Sequence, residues 1–183
     1  MIDPRPDAAV IAAFDTLPEQ VAATFLETCC GSTAWVQGMV VRRPFGTLDV
    51  LLHAADELWW SLGPDDWREA FDHHPRIGEQ SAAVPQNVEA QSWSSDEQRG
   101  VTSAATDVRD ALAEGNREYE RRFGHIYLVS AAGKSADELL EILRSRLAND
   151  PDAELRVAAA EQAKITRLRL QRMFTAPSPS PTE

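Results

Sequence analysis

Residues able to move a proton at neutral pH stand out first. Asp72-His73-His74-Pro75-Arg76-Ile77-Gly78 contains two of the four histidines, and an imidazole titrates close to physiological pH. Proline drives the residue before it toward extended geometry, so a helix arriving from upstream ends at His74. Gly78 allows the chain to reverse. An imidazole held at a helix C-terminus against a loop is a good mounting for general acid–base work; a surface histidine in a turn has the same pattern. Adjacent histidines point in different directions, and neither H-E-x-x-H nor C-x-x-C occurs, so no metal site is expected.

Other patterns carry two readings each. Ser94-Ser95-Asp96-Glu97-Gln98 is a capping box, with Ser94 as cap and Glu97 reaching back to it. The same helix start presents free N–H groups and a carboxylate to a ligand. Gly133-Lys134-Ser135 matches only the end of a phosphate-binding loop; the earlier glycine is replaced by Leu128, and Ser135 reads as an N-cap. Cys29 and Cys30 are neighbours, which disfavours a disulfide between them, and they read as buried packing. Arg169 lies beside the apolar stripe of a long helix, where a guanidinium snorkels or binds an anion.

The elements that must carry these residues are helical. Pro18-Glu19-Gln20 opens a helix expected to turn Val21, Phe25 and Leu26 inward. A second stripe is Trp35, Met39 and Val40, closed by Pro44 and Gly46. Thr47 caps a helix over 48–62 that buries Leu51, Leu52, Ala55, Leu58 and Trp59. Pro64 starts a short helix to Asp72. Residues 75–92 have no periodicity, and a loop of that length is often functional. The next helix is predicted from Ser94 to Phe123, weak at Gly115 and ended by Gly124. The apolar run from His125 to Ala131 fits a strand, a short helix or an extended link. Ser135 and Glu138 box a helix to Leu147. Pro151 opens the last helix, to Phe174, with Leu155, Ala158, Ile165 and Leu168 as its stripe. The predicted class is all-α: one helical domain over 1–176 and a disordered tail over 177–183.

Composition narrows the function classes. The net charge of −11 argues against a nucleic-acid or anionic-membrane binder. No apolar run approaches the length of a membrane span, and the polar residues 1–7 lack a signal-peptide core. The chain closes without a peroxisomal tripeptide. With two adjacent cysteines that make a poor disulfide, the expected setting is cytoplasmic. Trp59-Trp60 covers two faces of one helix, so one of the pair is a candidate subunit contact.

In order along the chain, five blocks make a specific set: His74-Pro75-Arg76-Ile77-Gly78; Ser94-x-x-Glu97-Gln98; Tyr119-x-x-x-Phe123-Gly124; Arg146-Leu147-x-Asn149; and Glu161-Gln162-x-Lys164-Ile165-x-x-Leu168-Arg169-Leu170. Over residues 15–174 this set resembles the 2-oxo-4-hydroxy-4-carboxy-5-ureidoimidazoline (OHCU) decarboxylases. The resemblance implies an all-helical, homodimeric enzyme of urate breakdown that needs no cofactor and yields (S)-allantoin from OHCU. It implies His74 as catalytic acid/base and Glu97 as holder of the substrate hydroxyl. Pro75, Ser94, Ser95, Asp96, Gln98, Tyr127, Leu128, Val129, Ser130 and Ala131 would line the substrate, and Arg169 would meet a polar or anionic part of it. Arg76 departs from the family pattern, where an acidic residue follows the His-Pro pair. The competing readings are an acidic helical scaffold that keeps these blocks as caps and core, and a metal-dependent hydrolase built on His53, His73, His74 and His125.

Overall fold

The computed structural model describes residues 6–77, 93 and 106–175, and among them every regular element is a helix. In chain order these are α1 (Pro6–Asp15), α2 (Glu19–Cys29), α3 (Thr33–Val41), α4 (Leu48–Ser61), α5 (Pro64–Asp72), α6 (Thr106–Phe123), α7 (Ala136–Arg146) and α8 (Pro151–Thr175). The expected boxed helix start at Ser94 and the predicted tail lie outside the described residues.

Two apolar clusters share the interior. The larger joins α1 to α5 with α8, and the smaller joins α6 to α7. Helix α8 is the axis, packing against α1, α2, α4, α5 and α6. Ala158 and Ala159 let α4 come close, and Trp59 donates its indole N–H to the Ala159 carbonyl at 2.9 Å. The buried indoles of Trp35 and Trp67 likewise donate to Ala55 and Trp59 carbonyls, so their burial leaves no N–H orphaned.

The local start signals act as read. Thr47 Oγ1 accepts from the Val50 amide at 3.3 Å. Ser135 and Glu138 exchange side chain-to-backbone bonds of 3.2 and 2.7 Å. All five inward residues expected of α4 are buried.

Four details differ from the sequence reading. Helix α1 was not anticipated. Its Ile11 and Phe14 are buried, Phe14 packs edge-on against Phe174, and the Asp15 carboxylate accepts from the Phe45 and Gly46 amides. Helix α2 is rotated from expectation: Ala22, Leu26 and Cys29, at i, i+4 and i+7, face the core, and Val21 and Phe25 are exposed. Leu168 is also exposed, because the α8 face toward the core carries Ile165, Thr166 and Arg169 instead. Gly115 does not weaken α6. A Cβ there would lie 2.5 Å from Leu143 Cδ2, so glycine is what lets α6 and α7 pack closely.

Residues 125–131 form an extended link. Ile126 and Leu128 face the larger cluster, and Tyr127, Val129 and Ala131 face the smaller. This is strand-like alternation without a ladder, so side chains satisfy its backbone. Arg146 Nη1 donates to the Leu128 carbonyl at 2.7 Å, the Ser130 amide donates to Glu161 Oε2 at 2.8 Å, and Lys134 Nζ donates to the Ser130 carbonyl at 2.6 Å.

A buried polar hub holds the link. Glu154, at 0% exposure, accepts from Arg146 Nε at 2.7 Å, from Asn149 Nδ2 at 2.6 Å and from the Tyr119 hydroxyl. Arg146 also donates to the Tyr119 oxygen at 3.1 Å. Two of the five sequence blocks, Tyr119…Phe123-Gly124 and Arg146-Leu147-x-Asn149, therefore meet at this carboxylate. Removing one member of a buried pair leaves the other charge uncompensated, at a cost of about 3–5 kcal/mol. Arg146→Leu should lower the urea unfolding free energy by about that amount, and adding Glu154→Leu should recover part of the loss. A single variant as stable as the parent would contradict the hub.

Candidate functional site

The site begins where α5 ends. The His74 amide still reaches the Phe71 carbonyl at 2.9 Å, and Pro75 follows, so the ring is fixed at the helix terminus as the His-Pro spacing predicts. The two neighbouring imidazoles diverge. His73 is exposed, its Nδ1 lies 2.9 Å from the Glu69 carbonyl, and it lies over Gly31, where a Cβ would come within 2.3 Å of its Cγ. His74 turns inward and is 7% exposed.

Burial lowers the pKa of His74 well below the ordinary imidazole value, and the Arg169 guanidinium lowers it further. A hydrogen bond with the Gln162 side chain opposes this, and His73 adds a smaller repulsion. The net result is an imidazole that is neutral at pH 7 and carries a lone pair for proton acceptance.

Helix α8 supplies the facing wall. Gln162, Thr166 and Arg169 follow at i, i+4 and i+7, and all three are buried. Gln162 Nε2 donates to Thr166 Oγ1 at 3.0 Å. Arg169 Nη1 donates to the Thr28 carbonyl at 3.4 Å, in the last turn of α2, where the carbonyl end of the helix favours a cation. Cys30, just past α2, meets the Thr166 hydroxyl; burial pushes its thiol up to about 11, so it is a neutral packing group and not a thiolate nucleophile.

The structure thus brings together His74 and Arg169, which are 95 positions apart in the sequence (169 minus 74). Pro75 is half-buried beside them. Arg76 makes a two-pronged pair with Glu120, at 2.6 and 2.9 Å, that ties the residues after His74 to α6. The side chains of Tyr127, Leu128, Val129 and Ala131 are buried in the two clusters, and the Tyr127 hydroxyl donates to the Leu139 carbonyl at 3.1 Å. Ser130 is buried and bound through its main chain. Glu161 anchors this segment one residue before Gln162. Burial raises the Glu161 carboxyl pKa, but Lys164 and the Ser130 amide outweigh that and keep it below the usual range. Ser94, Ser95, Asp96, Glu97 and Gln98 lie outside the described residues.

The other two histidines stand apart. His53 is exposed on α4 beside Glu57. His125 is buried among Phe71, Tyr119 and Phe123. Among the described residues no three His, Cys, Asp or Glu side chains gather as metal ligands do.

The residues here that the sequence reading gave no place in the site are Gln162, Thr166 and, read only as buried packing, Cys30. A signal existed for the first two: with Arg169 they form a polar i, i+4, i+7 stripe on a helix that has apolar residues on either side.

Known proteins are similar to this chain in sequence and in fold. A sequence model described as OHCU decarboxylase matches residues 15–171. The uric acid degradation bifunctional protein TTL of Arabidopsis thaliana is 34% identical over 151 residues, covering 81% of this chain and 46% of that protein. The 2-oxo-4-hydroxy-4-carboxy-5-ureidoimidazoline decarboxylase of Mus musculus is 36% identical over 91 residues, covering 50% of this chain and 51% of that protein. The chain thus spans about half the length of these curated relatives. A crystal structure of OHCU decarboxylase in the presence of (S)-allantoin superposes with a TM-score of 0.70 at 31% identity, covering 81% of this chain and 96% of that one. A crystal structure of (S)-allantoin synthase shares the fold, with a TM-score of 0.65 at 17% identity. The match over residues 15–171, which takes in His74, the Glu154 hub and Arg169, places the chain in the OHCU decarboxylase family.

Proposed function

We propose that the chain decarboxylates OHCU to (S)-allantoin and CO2 in urate breakdown, with His74 as the proton-transfer group. The observation that carries this reading is a buried neutral imidazole facing a buried guanidinium. The substrate's own ring is the electron sink, so the reaction asks for positioning and proton transfer and no cofactor. The bond from C4 to the carboxylate breaks and its electron pair forms C4=C5. The imine pair moves onto the ring nitrogen, which takes a proton from solvent. The neutral His74 accepts the 4-hydroxyl proton, and a proton is delivered to C5 on one face to give the S product. An imidazolium formed in this desolvated setting gives up its proton more readily than an ordinary one, so the same ring suits the return step.

Arg169 meets an anionic or polar edge of the substrate. Glu97 holds the hydroxyl, and Pro75, Ser94, Ser95, Asp96 and Gln98 line the substrate. Residues 127–131 contribute through main-chain atoms not engaged by Arg146, Glu161 and Lys134. The chain works as a homodimer in the cytoplasm. The exposed apolar residues Val21, Phe25 and Trp60 support a subunit contact, and Cys29 and Cys30, which form no disulfide, suit a reducing compartment. Among the described residues no helix is long and apolar enough to cross a membrane.

Urate oxidase and hydroxyisourate hydrolase would generate OHCU in a cuvette monitored by circular dichroism. The chain should produce optically active allantoin rapidly, with or without EDTA. His74→Ala should slow this by roughly 10²–10⁴-fold while the helical spectrum persists. Turnover near the parent rate in that variant would refute the assignment.

The lowered pKa of His74 has a thermodynamic consequence. The unfolded chain takes up this proton near pH 6.5 and the folded chain only at lower pH, so protonation favours unfolding. Stability should therefore fall as pH drops below about 6.5. His125, lowered chiefly by burial, adds to the slope with the same sign. The urea midpoint of His74→Asn should vary less between pH 7.5 and 5.5 than that of the parent; an equal or steeper variation would contradict a neutral buried ring.

A further inference from the structure

Gln162 is fully buried, and its two amide ends have different surroundings. Nε2 donates to Thr166 Oγ1 at 3.0 Å. Among the described residues Oε1 has no hydrogen-bond partner, and the same side chain lies beside the His74 ring and favours its protonated form. A buried carbonyl oxygen without a full hydrogen bond is costly, so its placement against an imidazole needs an explanation.

Thr166 fixes which end faces the ring. Its hydroxyl accepts from Gln162 and is also hydrogen-bonded to the Cys30 thiol. With Nε2 engaged by the Thr166 hydroxyl, the carboxamide is left with Oε1 as its free end on the side of His74. A carbonyl oxygen beside a neutral imidazole accepts from the ring N–H and selects one tautomer. The other ring nitrogen then keeps its lone pair.

We propose that Gln162, oriented by Thr166, is a positioning residue that holds His74 in a single tautomer with its free nitrogen directed at the substrate. This rests on the reading of His74 as the proton-transfer group, and it adds the device that sets which nitrogen reacts. Gln162 need not touch the substrate. Arg169 also acts on His74, but a guanidinium has no lone pair to accept its N–H, and His73 turns away with Nδ1 against the Glu69 carbonyl, so among the described residues Gln162 is the acceptor that sets the tautomer.

The test is nitrogen-15 NMR of the histidine rings in the full chain, with the other three rings as internal controls, alongside steady-state kinetics. The parent should show His74 as one tautomer. Gln162→Leu should give a mixed tautomer and a kcat lowered about ten-fold or more with KM little changed. Gln162→Glu should keep the single tautomer, because a carboxylate also accepts the N–H, and should move the His74 titration upward. Thr166→Val should partly reproduce the Leu variant, and Thr166→Ser should restore the parent spectrum. Unchanged ring shifts and kcat in folded Gln162→Leu would overturn the proposal; if that variant does not fold, unchanged shifts in Thr166→Val and an unmoved titration in Gln162→Glu would do so. The NMR readout needs no turnover, so failure of the decarboxylase reading would appear as an inactive parent with its tautomer still fixed.

Discussion

One buried carboxylate ties the two halves of this molecule together. Glu154 sits in the first turn of α8, shielded from solvent, and collects donors from α6, from α7 and from the turn after α7. An ionised side chain in such a place is tolerated only when its lone pairs are met by donors and its charge by a cation. Arg146 provides the cation and spends another N–H on the Leu128 carbonyl. The same guanidinium lies over the rings of Tyr119 and Tyr127, 5.6 and 5.0 Å from their centroids. The extended link 125–131 is therefore held by a charge network and not by a sheet.

That constraint reaches the site through α8. Its first turn is anchored by Glu154, its middle receives Trp59 and the Ser130 amide, and its later turns carry Gln162, Thr166 and Arg169 past the end of α5. A single rigid helix thus sets the distance between the link, the imidazole and the guanidinium. Sites on helices hold their geometry better than sites on loops. The ring itself is held from the other side, by the end of α5 and by Pro75.

The electrostatic logic of the site follows from putting a cation beside a titratable base. Desolvation and Arg169 both oppose protonation of His74, so the ring rests as a base. An incoming anion would offset the guanidinium and ease the uptake of a proton at the moment the chemistry asks for it. On the proposed reading, an anion bound beside Arg169 would couple binding to the proton affinity of His74.

Much of this was legible along the chain because it depends on neighbours. Thr47, Ser135 with Glu138, and Pro64 mark helix starts through groups three residues away. His74-Pro75 marks a helix end through a steric clash between adjacent residues. The α4 core face follows from its period alone. Other features needed the third dimension. The rotation of α2 depends on what packs against Ala22 and Cys29, and the docking of α1 depends on the carboxylate of Asp15 meeting amides thirty residues downstream. Gly115 reads as a flaw in a helix until Leu143 is placed against it. Local signals mark the ends of most helices, α1 excepted, and the helix end at His74. Tertiary packing decided that Gln162 and Arg169 meet that histidine, because burial and charge proximity are properties of space and not of sequence order.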